Sequence, residues 1–245
     1  MAPDERTRTE ARRHEQDHGH HHRDVSGGWL RPAVFGAMDG LVTNVSLIAG
    51  VGGGGGTAHT IVLTGLAGLA AGACSMAAGE YVSVSSQNEL IFAEVDKERL
   101  ELENNAAAEQ AELATMLRAR GVSAITARQA AAEISAHPEK ALAVHALEEL
   151  GVDPGELPSP AVAAGASLAS FAVGAVIPLA PYLAGLHLLG VALGLAAVAA
   201  IAGGGMVARL TGRPFWRDAV RQLVLGAAAA GITYLIGMAV GQAAS

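Results

Sequence analysis

The feature that most constrains this chain is where its charges are missing. Between residues 30 and 84 only Arg31, Asp39 and Glu80 are charged, and residues 161–208 and 222–245 carry no charged side chain at all. A helix crosses the hydrocarbon of a bilayer when about 20 mostly apolar residues follow one another at 1.5 Å each. Five segments meet that requirement: 30–52, 60–83, 161–182, 186–210 and 219–240. They predict an all-α, multi-pass membrane protein with five transmembrane helices. The glycine run at 52–56 separates the first two, Pro178 and Pro181 are expected to end the third, and the turn at 211–214 precedes the fifth. Composition agrees, with 16% charged residues and a mean hydropathy of +0.35, against about 25% charged in an ordinary soluble domain.

The basic residues orient the spans. Of 16 Lys and Arg, six lie in the tail up to Arg31, six between the second and third spans, and four within 209–221. The loops between spans one and two and between three and four hold none, nor does the C-terminus. Lys and Arg accumulate on the cytoplasmic side, so the expected topology has the N-terminus inside and the C-terminus outside. Residues 1–24 contain no apolar core, so the first span is expected to act as its own insertion signal. The domain plan that follows is a disordered His-rich cytosolic tail at 1–28, spans one and two at 29–83, a cytosolic insert at 84–159, and spans three to five at 160–245. A net charge of −7 and 4% aromatics argue against nucleic acid as a partner, and the single cysteine excludes a disulfide scaffold. The strong excess of Arg over Lys and the abundant Ala point to a GC-rich bacterium and its plasma membrane, or a vacuolar membrane in a eukaryote.

The insert holds most of the acidic chemistry. Three helices are expected in it: one continuing out of the second span to about Arg120 and ending at Gly121, one from Ser123 to about His137, and one from Pro138 to Gly151. On a single continuous helix Glu94, Glu98, Glu101, Glu109 and Glu112 share a stripe about 80° wide. Like charges at i, i+4 repel, and such a stripe invites a counter-cation. The third helix adds His145 and Glu149 at i, i+4. Oxygen ligands with one imidazole suit Fe²⁺, Mn²⁺ or Zn²⁺. The same pattern is also what a solvated acidic face looks like.

Inside the bilayer, Asp39 is the costliest residue. Ionisable groups in spans face a bundle interior or an aqueous path and mark ion sites. Thr43 and Ser46 continue its stripe at i+4 and i+7, while Met76 and Glu80 follow each other at i+4 on the second span. Asp39 and Thr43 on the first span, with Met76 and Glu80 on the second, are therefore candidate ion-site residues within the bilayer. Additional metal contacts are expected from the tail, where His14, His18, His20, His21 and His22 stand among Glu15, Asp17 and Asp24.

Long segments of this sequence resemble the vacuolar iron transporter family. The first span carries FGAMDGLVTN from Phe35 and SLIAG from Ser46, and the second carries AGACSMAAGEYVS from Ala71. EELG from Glu148 closes the insert, and the third span carries GAVIPLAPY from Gly174. The resemblance implies a five-span homodimer that moves Fe²⁺, and often Mn²⁺, out of the cytosol against a proton counterflow. It implies a path near the dimer interface lined by Asp39 and Met76. It implies metal capture by Glu98, Glu101, Glu109, Glu112 and Glu149. Where the family pattern has two adjacent Met residues before that last Glu, this chain has His145 and Ala146, so an imidazole replaces soft sulfur. The function expected is proton-coupled export of Fe²⁺ or Mn²⁺, with no enzymatic activity and no prosthetic group. The alternatives are a membrane-anchored metal sensor or buffer, or a di-iron oxidase. The oxidase would use Glu-x-x-His pairs, which the insert lacks.

Overall fold

The computed structural model describes residues 28–243, so the histidines of the tail (His14, His18, His20, His21 and His22) lie outside the described residues. Eight α-helices follow in order: α1 Leu30–Gly53, α2 Ala58–Asn104, α3 Ala106–Ala119, α4 Ala124–Ser135, α5 Pro138–His145, α6 Pro160–Leu183, α7 Leu189–Thr211 and α8 Phe215–Ala243. A π-turn, Ala146–Leu150, continues α5. There is no strand among the described residues. α1, α2, α6, α7 and α8 each contain a stretch long and apolar enough to cross a membrane.

Local chemistry sets the helix ends. Thr57, Ser123 and Ser159 cap α2, α4 and α6, each accepting a hydrogen bond from a backbone N–H three residues on. Gly121 and Gly151 close their helices with φ of +93° and +69°, a region that costs an L side chain strain.

α1 lies at the centre of the bundle and packs along α6 and α8, while α2 packs along α6 and α7 along α8. The α1–α6 contact is made backbone to backbone. A Cβ on Gly40 would meet the Phe171 carbonyl, and one on Gly174 would meet the Ala37 carbonyl. Small residues let helices approach this closely in lipid, where packing rather than the hydrophobic effect drives association. Gly237 and Gly241 of α8 do the same against Gly50 and Gly54.

Two expectations change. Pro178 and Pro181 do not end the third span. Both lie inside α6, which runs on to Leu183. Each proline withdraws one N–H from the helix ladder, and such breaks are tolerated in spans where neighbouring helices pack against them. Pro178, Leu179 and Tyr182 are all buried here. The long helix out of the second span is likewise not continuous to Arg120. It breaks at Asn105, whose φ of −129° and ψ of 32° leave the helical region, and α3 starts afresh. Asn is a poor helix former because its side chain competes for backbone groups, and the neighbouring Asn104 donates its side-chain N–H back to the Leu100 carbonyl at 2.7 Å. The insert is thus four helical pieces and a π-turn rather than three helices.

α2, with 47 residues, is about 70 Å long, more than twice the roughly 30 Å of a hydrocarbon core. Its second half projects beyond the bundle and carries the insert. Val95 packs there with Leu142 and Ala146, and Ile91 and Leu102 cover the cluster. A second small core, Leu113, Ala114 and Ala131, joins α3 to α4.

Candidate metal centre

Four donors from four elements of the insert meet at one point. Glu98 comes from the projecting half of α2, Glu109 from the first turn of α3, His145 from the end of α5, and Glu149 from the π-turn. One ligand atom from each lies within 4.8 Å of the others. His145 Nδ1 stands 3.0 Å from Glu98 Oε1, 3.2 Å from Glu149 Oε1 and 3.8 Å from Glu109 Oε2. His145 is fully buried, Glu98 and Glu109 are nearly so, and Glu149 forms the open lip.

The helix break creates this meeting. On one straight helix Glu98 and Glu109 would sit about 16 Å apart along the axis and could not share an ion. The chain changes direction at Asn105, where α2 ends and α3 begins, and the two carboxylates meet at the same imidazole. Glu149, in the π-turn four residues on, reaches the same imidazole, and Arg120 Nε pairs with Glu148 Oε2 of that turn at 2.7 Å.

The electrostatics are those of a site short of positive charge. Three carboxylates accept hydrogen bonds, and the facing ring nitrogen offers them at most one N–H. Glu98 Oε1 makes no well-aligned hydrogen bond despite its 3.0 Å approach. Burial pushes the Glu98 carboxyl up to about 7. Glu149, Glu109 and Glu101 push in the same direction, and His145 opposes them. Burial also raises Glu109, with Glu112 the largest of the charges adding to it. Desolvated like charges of this kind cluster at functional sites. A divalent cation would relieve both the donor deficit and the repulsion.

The other expected residues divide into three groups. Glu101 and Glu112 are exposed at the edge of the cluster and reach it only through their charge. Glu94 is exposed and pairs with Lys97 at 2.6 Å, away from the site. In the spans, Asp39 is half-buried with Thr43 Oγ1 at 3.5 Å, Met76 packs against the Ala73–Phe171–Ala175 cluster, and Glu80 is half-buried on α2. Asn44 is the residue that reading by charge overlooks. It is 1% exposed and donates Nδ2 to the Ala175 carbonyl at 2.6 Å, tying α1 to α6. Its spacing of four from Gly40 and eight from Gly36 places it on the small-residue face that meets α6, and that is the signal in the sequence.

The chain is also similar to known proteins along most of its length. The chain matches the VIT family over residues 30–238. It is 41% identical over 163 residues to a vacuolar iron transporter of Acanthamoeba castellanii, covering 66% of this chain and 59% of that protein. It is 39% identical over 212 residues to vacuolar iron transporter homolog 1 of Oryza sativa subsp. japonica, covering 84% of this chain and 71% of the relative. Homolog 5 of the same rice is 37% identical over 209 residues, covering 84% and 77%.

Proposed function

The chain belongs to the VIT family, and from that premise we propose that this multi-pass membrane protein exports Fe²⁺, with Mn²⁺ as a second cargo, from the cytosol in exchange for protons. The observation that carries the proposal is the cluster of Glu98, Glu109, His145 and Glu149 on the projecting half of a membrane helix. A buried imidazole among three carboxylates captures a divalent ion next to the membrane surface.

The distribution of Lys and Arg supports a topology with the insert and the N-terminus in the cytosol and the C-terminus outside. The captured ion enters beside Glu80 and follows a path lined by Asp39, Thr43 and Met76, close to the contact between two copies of the chain. Asp39 supplies a hard oxygen and Met76 a soft sulfur. A carboxylate must be deprotonated to hold metal, so a proton arriving from the far side displaces the ion from Asp39. One acid occupied in turn by metal and proton is sufficient for exchange. The named relatives support iron as the cargo. The protein acts as a transporter rather than an enzyme, and the histidines of the tail gather metal near the insert.

The test is Fe²⁺ uptake into proteoliposomes with an acidic lumen, comparing the wild type with Asp39→Ala. Uptake that needs the pH gradient and is lost in the variant is the expected result. Metal binding without uptake in any gradient would overturn the proposal and leave a sensor or buffer.

A further inference from the structure

We propose that His145 sets which divalent ions the insert accepts: with Glu98, Glu109 and Glu149 it forms a single N/O₃ site of tetrahedral size, which favours Zn²⁺ and Fe²⁺ over Mn²⁺. The inference rests on the reading of this cluster as a metal site and adds the ion selectivity of that site.

The first argument is size. A tetrahedral ion with bonds of about 2.0–2.1 Å needs ligand atoms about 3.3–3.4 Å apart. The distances from His145 Nδ1 to the three carboxylates, 3.0, 3.2 and 3.8 Å, bracket that edge. Three of the six ligand-to-ligand distances thus stand close to that edge, and all four ligand atoms lie within 4.8 Å of one another.

The second argument is the chemistry of the donors. Carboxylate and water ligands suit Mn²⁺ and Mg²⁺, whereas imidazole suits Zn²⁺ and Fe²⁺. One nitrogen in four shifts the preference toward the latter pair.

The third argument is closure. His145 is 0% exposed, and it is fixed by its neighbours Leu142 and Ala146, which pack on Val95 of α2. Glu101 and Glu112, which could complete an oxygen-rich six-coordinate shell, are exposed and lie outside the group of four donors. Only the Glu149 side is open, with 31% of that side chain exposed.

The experiment uses the full chain in detergent. Zn²⁺, Fe²⁺ (anaerobic) and Mn²⁺ affinities are measured by competition, and Co²⁺ is added as a spectroscopic probe because four-coordinate Co²⁺ absorbs visible light far more strongly than six-coordinate Co²⁺. The variant Glu98→Gln/Glu109→Gln/Glu149→Gln keeps the tail histidines and gives the background. In His145→Asn an amide oxygen takes the place of Nδ1. His145→Gln serves if helicity shows that His145→Asn does not fold. The expected result is intense Co²⁺ absorption in the wild type that weakens in the His145 variant, with the Zn²⁺-to-Mn²⁺ affinity ratio falling by about tenfold or more. If the wild type binds above background but the variant keeps the Co²⁺ spectrum and a ratio within about twofold, the selectivity proposal fails while the metal site stands. If the wild type binds no better than background, the metal site itself is wrong, and the proposal falls with it.

Discussion

Arg120 Nε lies 2.7 Å from Glu148 Oε2, joining the end of α3 to the π-turn that carries Glu149. The two partners differ in surroundings, Arg120 being 64% exposed and Glu148 only 14%. The pair gives little stability, because an exposed ion pair is worth about 0–1 kcal/mol. Its effect is to hold the turn in which Glu149 reaches under His145. Arg120→Ala should therefore leave the melting temperature of the metal-free protein almost unchanged. It should weaken Zn²⁺ binding by about tenfold, the usual effect of removing a group that orients a ligand. Equal Zn²⁺ titration curves for the two proteins would show that the π-turn holds its shape without Arg120.

The raised carboxyl of Glu98 has a definite sign in stability. Its ordinary value is 4.5, and burial together with the neighbouring acids lifts it to about 7 in the fold. The folded state therefore holds a proton that the unfolded chain gives up. Glu98 contributes stability that is complete below about 4.5 and is lost as pH rises through about 7. Metal-free protein should become less stable across that window, and Glu98→Gln should flatten the slope in pH-dependent thermal unfolding. Metal affinity should move the other way. It should drop below about pH 7, where the site must release a proton to bind. A Zn²⁺ affinity independent of pH between 5 and 8 would contradict this account.

The bundle makes a sharper structural prediction. Gly40 faces the Phe171 carbonyl so closely that even a methyl group has no room, whereas a Cβ on Gly165, on the same partner helix, meets nothing within 4 Å. Gly40→Ala should cost at least the roughly 1–3 kcal/mol of an overpacked core, because a backbone carbonyl cannot move aside as a side chain can. Gly165→Ala should be tolerated. Thermal melting in one detergent separates the two, and equal melting temperatures would mean that α1 and α6 are not in direct backbone contact.

These residues also show what could be read before folding. The spans were legible because three charge-poor stretches and a length criterion leave few alternatives, and the helix ends of four of them move by only a few residues, while α2 runs on past residue 83 to Asn104. Orphaned polar groups in lipid are too costly for other solutions. His145 and Glu149 were legible as a pair because their i, i+4 spacing is local. The convergence of Glu98 and Glu109 was not. Projecting them at 100° per residue assumes an unbroken helix, but the helix breaks at Asn105, and propensity is too weak a guide to say so beforehand. The same projection gave Glu101 and Glu112 equal standing with Glu98 and Glu109, although burial separates the two pairs. A wheel shows direction around an axis and says nothing of which side another element covers.

Capture and passage should separate in the kinetics of transport. In the proposed mechanism the insert concentrates metal beside the membrane, so weakening it should matter when metal is scarce and the effect should vanish when metal is abundant. In the proposed mechanism Asp39, on α1 with Thr43 beside it, lies in the path itself, and every ion passes it at any concentration. In proteoliposomes, Glu98→Gln/Glu149→Gln should raise the half-saturating Fe²⁺ concentration by about tenfold or more and leave the maximal flux within about twofold, the pattern of lost uniform binding. Asp39→Asn keeps the shape of the side chain and removes its charge. It should abolish maximal flux while Zn²⁺ binding at the insert stays at the wild-type level. Loss of maximal flux in the insert variant would mean that the four donors form part of the gate rather than a loading station. Wild-type flux in Asp39→Asn would remove Asp39 from the path.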